Sequence, residues 1–159
     1  MSGNMYYWDK ETNGLYCWDL ESDTPECLFA GPIRFDDEVS YDRLSLSADS
    51  FDGHLLVTAV QDSDGQAVSC AFDPISKSLQ KLTLTSDDEK SVLILAEGSE
   101  YFLVRYGLME YEVPDYAPDG REITTTMLLP NLRLIEKSDY WNNIPNYILL
   151  DDYVYSRKP

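Results

Sequence analysis

Short runs rich in β-branched and aromatic residues, each closed by Gly, Asp, Asn or Pro, recur along this sequence. Helical periodicity is hard to find, and that absence most constrains the fold. Met5-Tyr6-Tyr7-Trp8 enters Asp9-Lys10-Glu11-Thr12-Asn13-Gly14 and leaves as Leu15-Tyr16-Cys17-Trp18. This reads as strand, turn, strand, with Asn13-Gly14 supplying the positive φ angles of a tight hairpin. The same grammar returns where His54–Val60 meets Asp62-Ser63-Asp64-Gly65 and continues as Ala67–Phe72.

The turns that follow share a spacing. Nine positions separate Asp19 from Leu28 and nine separate Asp73 from Leu82, with the two copies 54 residues apart. That offset is near the ~40–50 residues of a propeller-type repeat. In each copy an aromatic (Trp18, Phe72) ends a strand and an Asp opens the turn, where its carboxylate can cap backbone N–H groups. A degraded third copy pairs Ser91–Ala96 with Tyr101–Tyr106 through Glu97-Gly98-Ser99-Glu100. Its next partner, Ile123–Leu129, comes after a long excursion through Pro114, Pro118 and Asp119-Gly120. Tyr147-Ile148-Leu149-Leu150 reads as one strand of a fourth unit.

The expectation is an all-β chain: a partial β-propeller of about three to four four-stranded antiparallel blades, with a β-sandwich as the alternative. Residues 1–159 read as a single β-repeat domain, the C-terminal part of a longer propeller if the chain is a fragment. Three and a half blades leave open strand edges, which proteins close, cover or charge. A homodimer completing the ring is one solution, with Tyr147–Leu150 as the pairing edge. Closure of that strand beside Met5–Trp8 is another.

The pattern of an aromatic, an Asp and a Leu nine positions on resembles the strand-turn-strand signature of bacterial TolB-like β-propeller repeat proteins and related families of unknown function. Where a TolB-like blade has Ser-Pro-Asp-Gly, this chain has Ser47-Ala48-Asp49-Ser50-Phe51-Asp52-Gly53, with inserted residues. The tail Lys137-Ser138-Asp139-Tyr140-Trp141-Asn142-Asn143-Ile144-Pro145-Asn146-Tyr147 resembles the C-terminal ending of uncharacterised bacterial surface lipoproteins. Neither resemblance implies a catalytic residue.

Charge narrows the partners. Twelve basic against 29 acidic residues give a formal charge of −17, which repels phosphate backbones and anionic lipid. Nucleic acid is therefore not expected as a partner, and a basic protein or Ca²⁺ fits the sign better. No apolar run approaches the ~20 residues of a membrane helix, so membrane insertion is not expected. Met1–Met5 carries neither a basic region nor an apolar core, so no signal peptide is expected. The compartment stays open: cell surface or extracellular if the chain is a fragment, otherwise cytoplasmic.

Chemistry finds little support. The single histidine, His54, follows Asp52-Gly53 at a strand start, and nothing in the spacing recommends a pair with Cys70. There is no nucleophile elbow, no phosphate-binding glycine loop and no Cys-x-x-Cys. The odd count of three cysteines argues against a disulfide framework. Cys17, Cys27 and Cys70 are expected as free, buried thiols, although a turn centred on Ser22 would set Cys17 opposite Cys27. Asp62-Ser63-Asp64-Gly65, Asp49-x-x-Asp52-Gly53 and Asp36-Asp37-Glu38 offer oxygen ligands for Ca²⁺, but the Asp-Gly and Ser-Asp-Gly turns read better as hairpins than as ligand loops. No metal and no cofactor are expected.

The leading expectation is a non-catalytic protein-interaction or scaffold module. The alternative is a carbohydrate-binding module using Trp8, Trp18, Trp141 and Tyr140, because aromatic rings stack on sugars with little loss of entropy. A glycosidase-like enzyme using two of the 29 acidic residues is a second alternative.

Overall fold

The computed structural model describes residues 4–35, 39–87 and 90–150. Strand accounts for 62% and helix for 4%, so the chain is all-β. It divides into two compact units, Met1–Thr83 and Leu84–Pro159.

In the first unit β1 (Asn4–Asp9), β2 (Gly14–Asp19) and β3 (Glu26–Ala30) form an antiparallel three-stranded sheet. β4 (Ile33–Arg34) pairs with β5 (Ser40–Tyr41). β6 (Arg43–Phe51), β7 (His54–Val60), β8 (Ala67–Asp73) and β9 (Ser78–Lys81) make a four-stranded antiparallel meander. β7 alternates strictly, so Leu55, Val57 and Ala59 turn inward beside Cys70 and Phe72 of β8. They join Leu15, Leu28, Ile33, Tyr41 and Leu44 in one core, which binds the sheets by burying apolar surface. Lys77 reaches from the β8–β9 turn to Glu26 on β3, Nζ to Oε1 2.6 Å.

The Asp turns form as the spacing predicts. Asp19 Oδ1 accepts from the Glu21 N–H (3.0 Å) and Asp73 Oδ1 from the Ile75 N–H (2.9 Å). Asp9 does the same with Glu11 (2.9 Å) and also accepts from Thr12 Oγ1 (3.0 Å), as Asp73 accepts from Ser76 Oγ (2.6 Å). With Asn13 at φ 53° and Lys77 at φ 55°, the Asp9 and Asp73 turns are the better-matched pair. The first hairpin is not the tight two-residue turn expected from Asn13-Gly14: Asp9 pairs with Gly14, leaving four residues in the loop. Only Asn13 takes positive φ there. Gly14 is needed because a Cβ would stand 2.9 Å from the Tyr16 ring.

Two further expectations are corrected. A register shift at Leu28 sets Cys27 opposite Tyr16 and Cys17 opposite Glu26, so the cysteines do not face each other. All three thiols are free, but Cys27 is exposed and Cys17 intermediate, with only Cys70 buried.

The second unit has one sheet in the order β10 (Leu93–Glu97), β11 (Tyr101–Tyr116), β12 (Glu122–Glu136) and β13 (Tyr147–Leu149). The excursion through Pro114 is no loop: β11 and β12 run as a continuous antiparallel pair from Tyr101↔Glu136 to Tyr116↔Glu122. Nor does Tyr147–Leu149 begin a fourth unit; it pairs with Arg133–Ile135 of β12 as the fourth strand of this sheet. Among the described residues the sheets hold three, two, four and four strands, and none closes. The core gathers Val92, Ile94, Phe102, Val104, Ile135 and Tyr140. The short helix α1 (Lys137–Trp141) delivers Tyr140 and Trp141 to Phe102, with centroids 5.4 Å away in each case and the rings edge to face. Lys137 meets Glu97 at 2.5 Å.

Candidate functional site

β11 and β12 outrun their neighbours. β10 covers β11 only between Phe102 and Arg105, and β13 covers β12 only between Arg133 and Ile135. Beyond the irregularity between Arg105 and Leu108, where Gly107 takes φ 129°, the two strands continue alone as a two-stranded ribbon. Among the described residues no third strand pairs with it.

The ribbon's turn is built by Ala117-Pro118-Asp119-Gly120-Arg121. The Gly120 N–H donates to Ala117 O (2.8 Å) and the Ala117 N–H to Arg121 O (2.9 Å), with Gly120 at φ 80°. Pro pre-sets the first corner and Gly supplies the left-handed residue, the chemistry of a three-residue hairpin loop. Arg121 is folded onto Asp119 (2.7 Å).

That closing bond fixes which backbone groups face where, because inward and outward positions alternate along an antiparallel pair. Counting from Ala117↔Arg121, positions 123, 125, 127 and 129 turn their amides into the ladder, and 122, 124, 126 and 128 turn theirs outward. Pro114 and Pro130 both fall on outward positions, so neither removes a ladder bond.

Side chains sort by the same register. Met109, Val113, Ile123, Met127 and Leu129 share one face with Asp115 and Thr125, which are hydrogen-bonded to each other (3.1 Å), and four of the apolar residues are well exposed: Met109 40%, Ile123 41%, Met127 47% and Leu129 39%. The other face carries Glu110, Glu112 and Glu122 with Thr124, Thr126, Leu108, Leu128 and Tyr116. Positions 123–129 of β12, Ile-Thr-Thr-Thr-Met-Leu-Leu, hold no charge, Gly or Pro. An exposed edge of that composition is an invitation to strand pairing. Sequence reasoning missed this site because Pro114 reads as a strand breaker. The signal available was Pro118-Asp119-Gly120 flanked by two β-rich runs.

The aromatic candidates lie elsewhere and do not form one platform. Trp8 sits on the core face of the β1–β2 hairpin with Leu15, its Nε1 buried and without a hydrogen-bond partner among the described residues. Trp18 is on the opposite face, 37% exposed, and its Nε1 donates to Ser22 O (2.9 Å). By the register Tyr7 and Tyr16 share that opposite face and stack at 5.5 Å. Tyr140 is buried, its hydroxyl donating to Val92 O (3.3 Å), and burial pushes its pKa up to about 12. Trp141 packs on Tyr140 at 5.1 Å.

The polar candidates are likewise placed for structure. His54 Nδ1 lies 3.0 Å from Asp52 O. Cys70 stands opposite Val57, three residues from His54, so the two side chains leave opposite faces of the sheet. Burial holds the Cys70 thiol protonated, with its pKa raised to about 12. Asp52-Gly53, at φ 50° and 79°, is a two-residue hairpin turn. Asp62 is engaged by Arg43 Nε (2.9 Å), and Asp64 accepts from the Gln66 N–H (3.0 Å). Asp36-Asp37-Glu38 lies outside the described residues. Among the described residues, no three His, Cys, Asp or Glu side chains are grouped to hold a metal, and no helix is long and apolar enough to cross a membrane. A cavity of about 330 Å³ beside the β10–β11 loop includes Glu97 and Glu100, but the Glu97 carboxylate is engaged by Lys137.

Compared with protein-family models, curated proteins and solved structures, the chain matches none.

Proposed function

We propose that the chain is a non-catalytic protein-interaction module whose docking surface is the β11–β12 ribbon, positions 108–130. One observation carries this reading: Met109, Ile123, Met127 and Leu129 stand 39–47% exposed on one face of a ribbon that no third strand supports among the described residues. A lone two-stranded ribbon is marginal in water. Cover from a partner would stabilise it and remove the apolar face from water. For the scaffold, the reading is a set of propeller blades. It is supported by the four-stranded meander β6–β9 and by the matched Asp9 and Asp73 turns.

The test is site-specific photo-crosslinking in the source cells from position 127, with position 75 as control, since Ile75 is 92% exposed on an unrelated turn. The expected result is a defined adduct from position 127 alone, reproduced with the purified partner and abolished by Leu129→Glu. Equal adducts at both positions would refute the reading.

The β1–β2 hairpin supports a second reading. Tyr7, Tyr16 and Trp18 share its outer face, as a sugar-stacking strip requires. A glycan-dependent change in Trp fluorescence that disappears in Trp18→Ala would support carbohydrate binding. A signal that persists in that variant would end it.

A further inference from the structure

We infer that the ribbon's occupant is an extended segment of another protein, alternating basic and apolar residues, that adds as a strand along the β12 edge over Glu122–Leu128. This rests on reading the ribbon as a docking surface and specifies how it docks. The edge offers four outward amides at 122, 124, 126 and 128, bounded by the turn on one side and by Pro130 on the other. Strand addition takes its affinity from such main-chain donors and acceptors, and its specificity from alternate side chains.

The two faces dictate the partner's alternation. The added strand runs antiparallel to β12, so its residues hydrogen-bonded to β12 sit opposite 122, 124, 126 and 128 and project onto the face of Glu110, Glu112 and Glu122. Thr124 and Thr126 are small enough there for a long side chain to cross to the glutamates of β11. Lysine and arginine fit those positions. The intervening residues project beside Ile123, Met127 and Leu129, which suits valine, isoleucine or leucine. Charge also disfavours a second copy of this chain. Positions 108–130 hold Glu110, Glu112, Asp115, Asp119 and Glu122 against Arg121 alone, and the whole chain carries −17. Like charges set opposite each other across strands are destabilising.

The probe is a blocked nonapeptide alternating lysine and valine, titrated into the isotope-labelled full chain and followed by amide NMR. Saturable binding is expected, with the largest shifts at Thr124, Thr126 and Leu128, weakening as salt rises. Thr126→Pro removes one outward donor and no ladder bond, and weakens binding roughly tenfold or more. A second arm leaves the protein untouched. N-methylation of the peptide's lysines abolishes binding, because their amides face β12, whereas N-methylation of its valines is tolerated. A matched glutamate–valine peptide binds roughly tenfold more weakly or not at all.

Equal effects of the two methylation patterns would overturn strand addition while leaving docking on the apolar face intact. So would binding lost in Leu129→Thr but indifferent to Thr126→Pro. No binding of the lysine–valine peptide overturns the partner's chemistry. A concentration-dependent doubling of mass that Thr126→Pro abolishes makes the occupant a second copy and overturns it as well. Peptide binding unchanged by every ribbon substitution would fail the inference and the docking reading together.

Discussion

Leu129 and Ile135 lie six residues apart on β12, yet their surroundings give them opposite roles. Ile135 is fully buried against Phe102, its cross-strand partner, while Leu129 is 39% exposed on the ribbon. Consider Thr at each, a residue that keeps strand preference and branching. At position 135 the substitution removes buried hydrocarbon, for which the smaller step Ile→Val already costs ~0.5–1.5 kcal/mol. It also buries a hydroxyl without a partner, at ~1–3 kcal/mol. Ile135→Thr should therefore cost about 2–4 kcal/mol, or ~4–16 °C in Tm for a chain of this size. At position 129 the side chain stands 39% exposed on a two-stranded ribbon, so Leu129→Thr should stay within ~0.5 kcal/mol, about 1–2 °C. Parallel thermal melts by circular dichroism measure both. If Leu129→Thr lowers Tm as far as Ile135→Thr, the ribbon face is already packed in the free protein and the reasoning fails.

Alkaline stability follows from the buried acids. Cys70, Tyr140 and Tyr147 are all raised to about 12 by burial, from ordinary values of 9.0 and 10.0. The folded chain keeps protons there that the unfolded chain releases, so Tm should hold to about pH 9 and fall towards pH 12; in Cys70→Ala the fall should begin nearer pH 10. A Tm that rises across this window would contradict the assignment. Thiol titration at pH 8 should label Cys27 first and Cys70 only on unfolding; fast native labelling of Cys70 would be wrong for a buried thiol. Asp73→Ala removes the bonds to Ile75 N and Ser76 Oγ and should cost about 1 kcal/mol, checked by urea melts. Because those bonds also lower the Asp73 pKa, its contribution should be lost as pH falls through that depressed value, and Asp73→Ala should flatten the acid limb. Calcium should leave Tm unmoved, since Asp62 is held by Arg43 of β6 and Asp64 by the Gln66 N–H of its own turn. A site at a hundred times its dissociation constant would add about 2.7 kcal/mol.

Local grammar was legible wherever a turn residue and a strand run agreed. The hairpins β1–β2 and β7–β8 fall where the runs place them, and Asp19 and Asp73 cap their turns as their spacing implies. What failed was register and tolerance. One extra residue at Leu28 moved Cys17 off Cys27, which no pattern of residue types reveals. Pro114 disguised the ribbon, because a proline rules out a strand only where its missing N–H is needed, and at an outward position it is not. Trp8 and Trp18, ten residues apart, are one kind of candidate by residue type, and the register of the β1–β2 hairpin places them on opposite faces. The seven uncharged residues 123–129 read as a strand, but that no described strand pairs along their outer edge is a property of where β10 and β13 stop.

Residue-resolved amide hydrogen exchange across β12 reads out whether its outer edge is open to a partner. Two interleaved classes are expected in the free protein: Ile123, Thr125 and Met127 protected by the ladder, and Thr124, Thr126 and Leu128 exchanging at close to unprotected rates. Adding the lysine–valine peptide should slow the second class and leave the first nearly unchanged. If all six amides are equally protected before any partner is added, the β12 edge is already covered and the ribbon is not the docking surface.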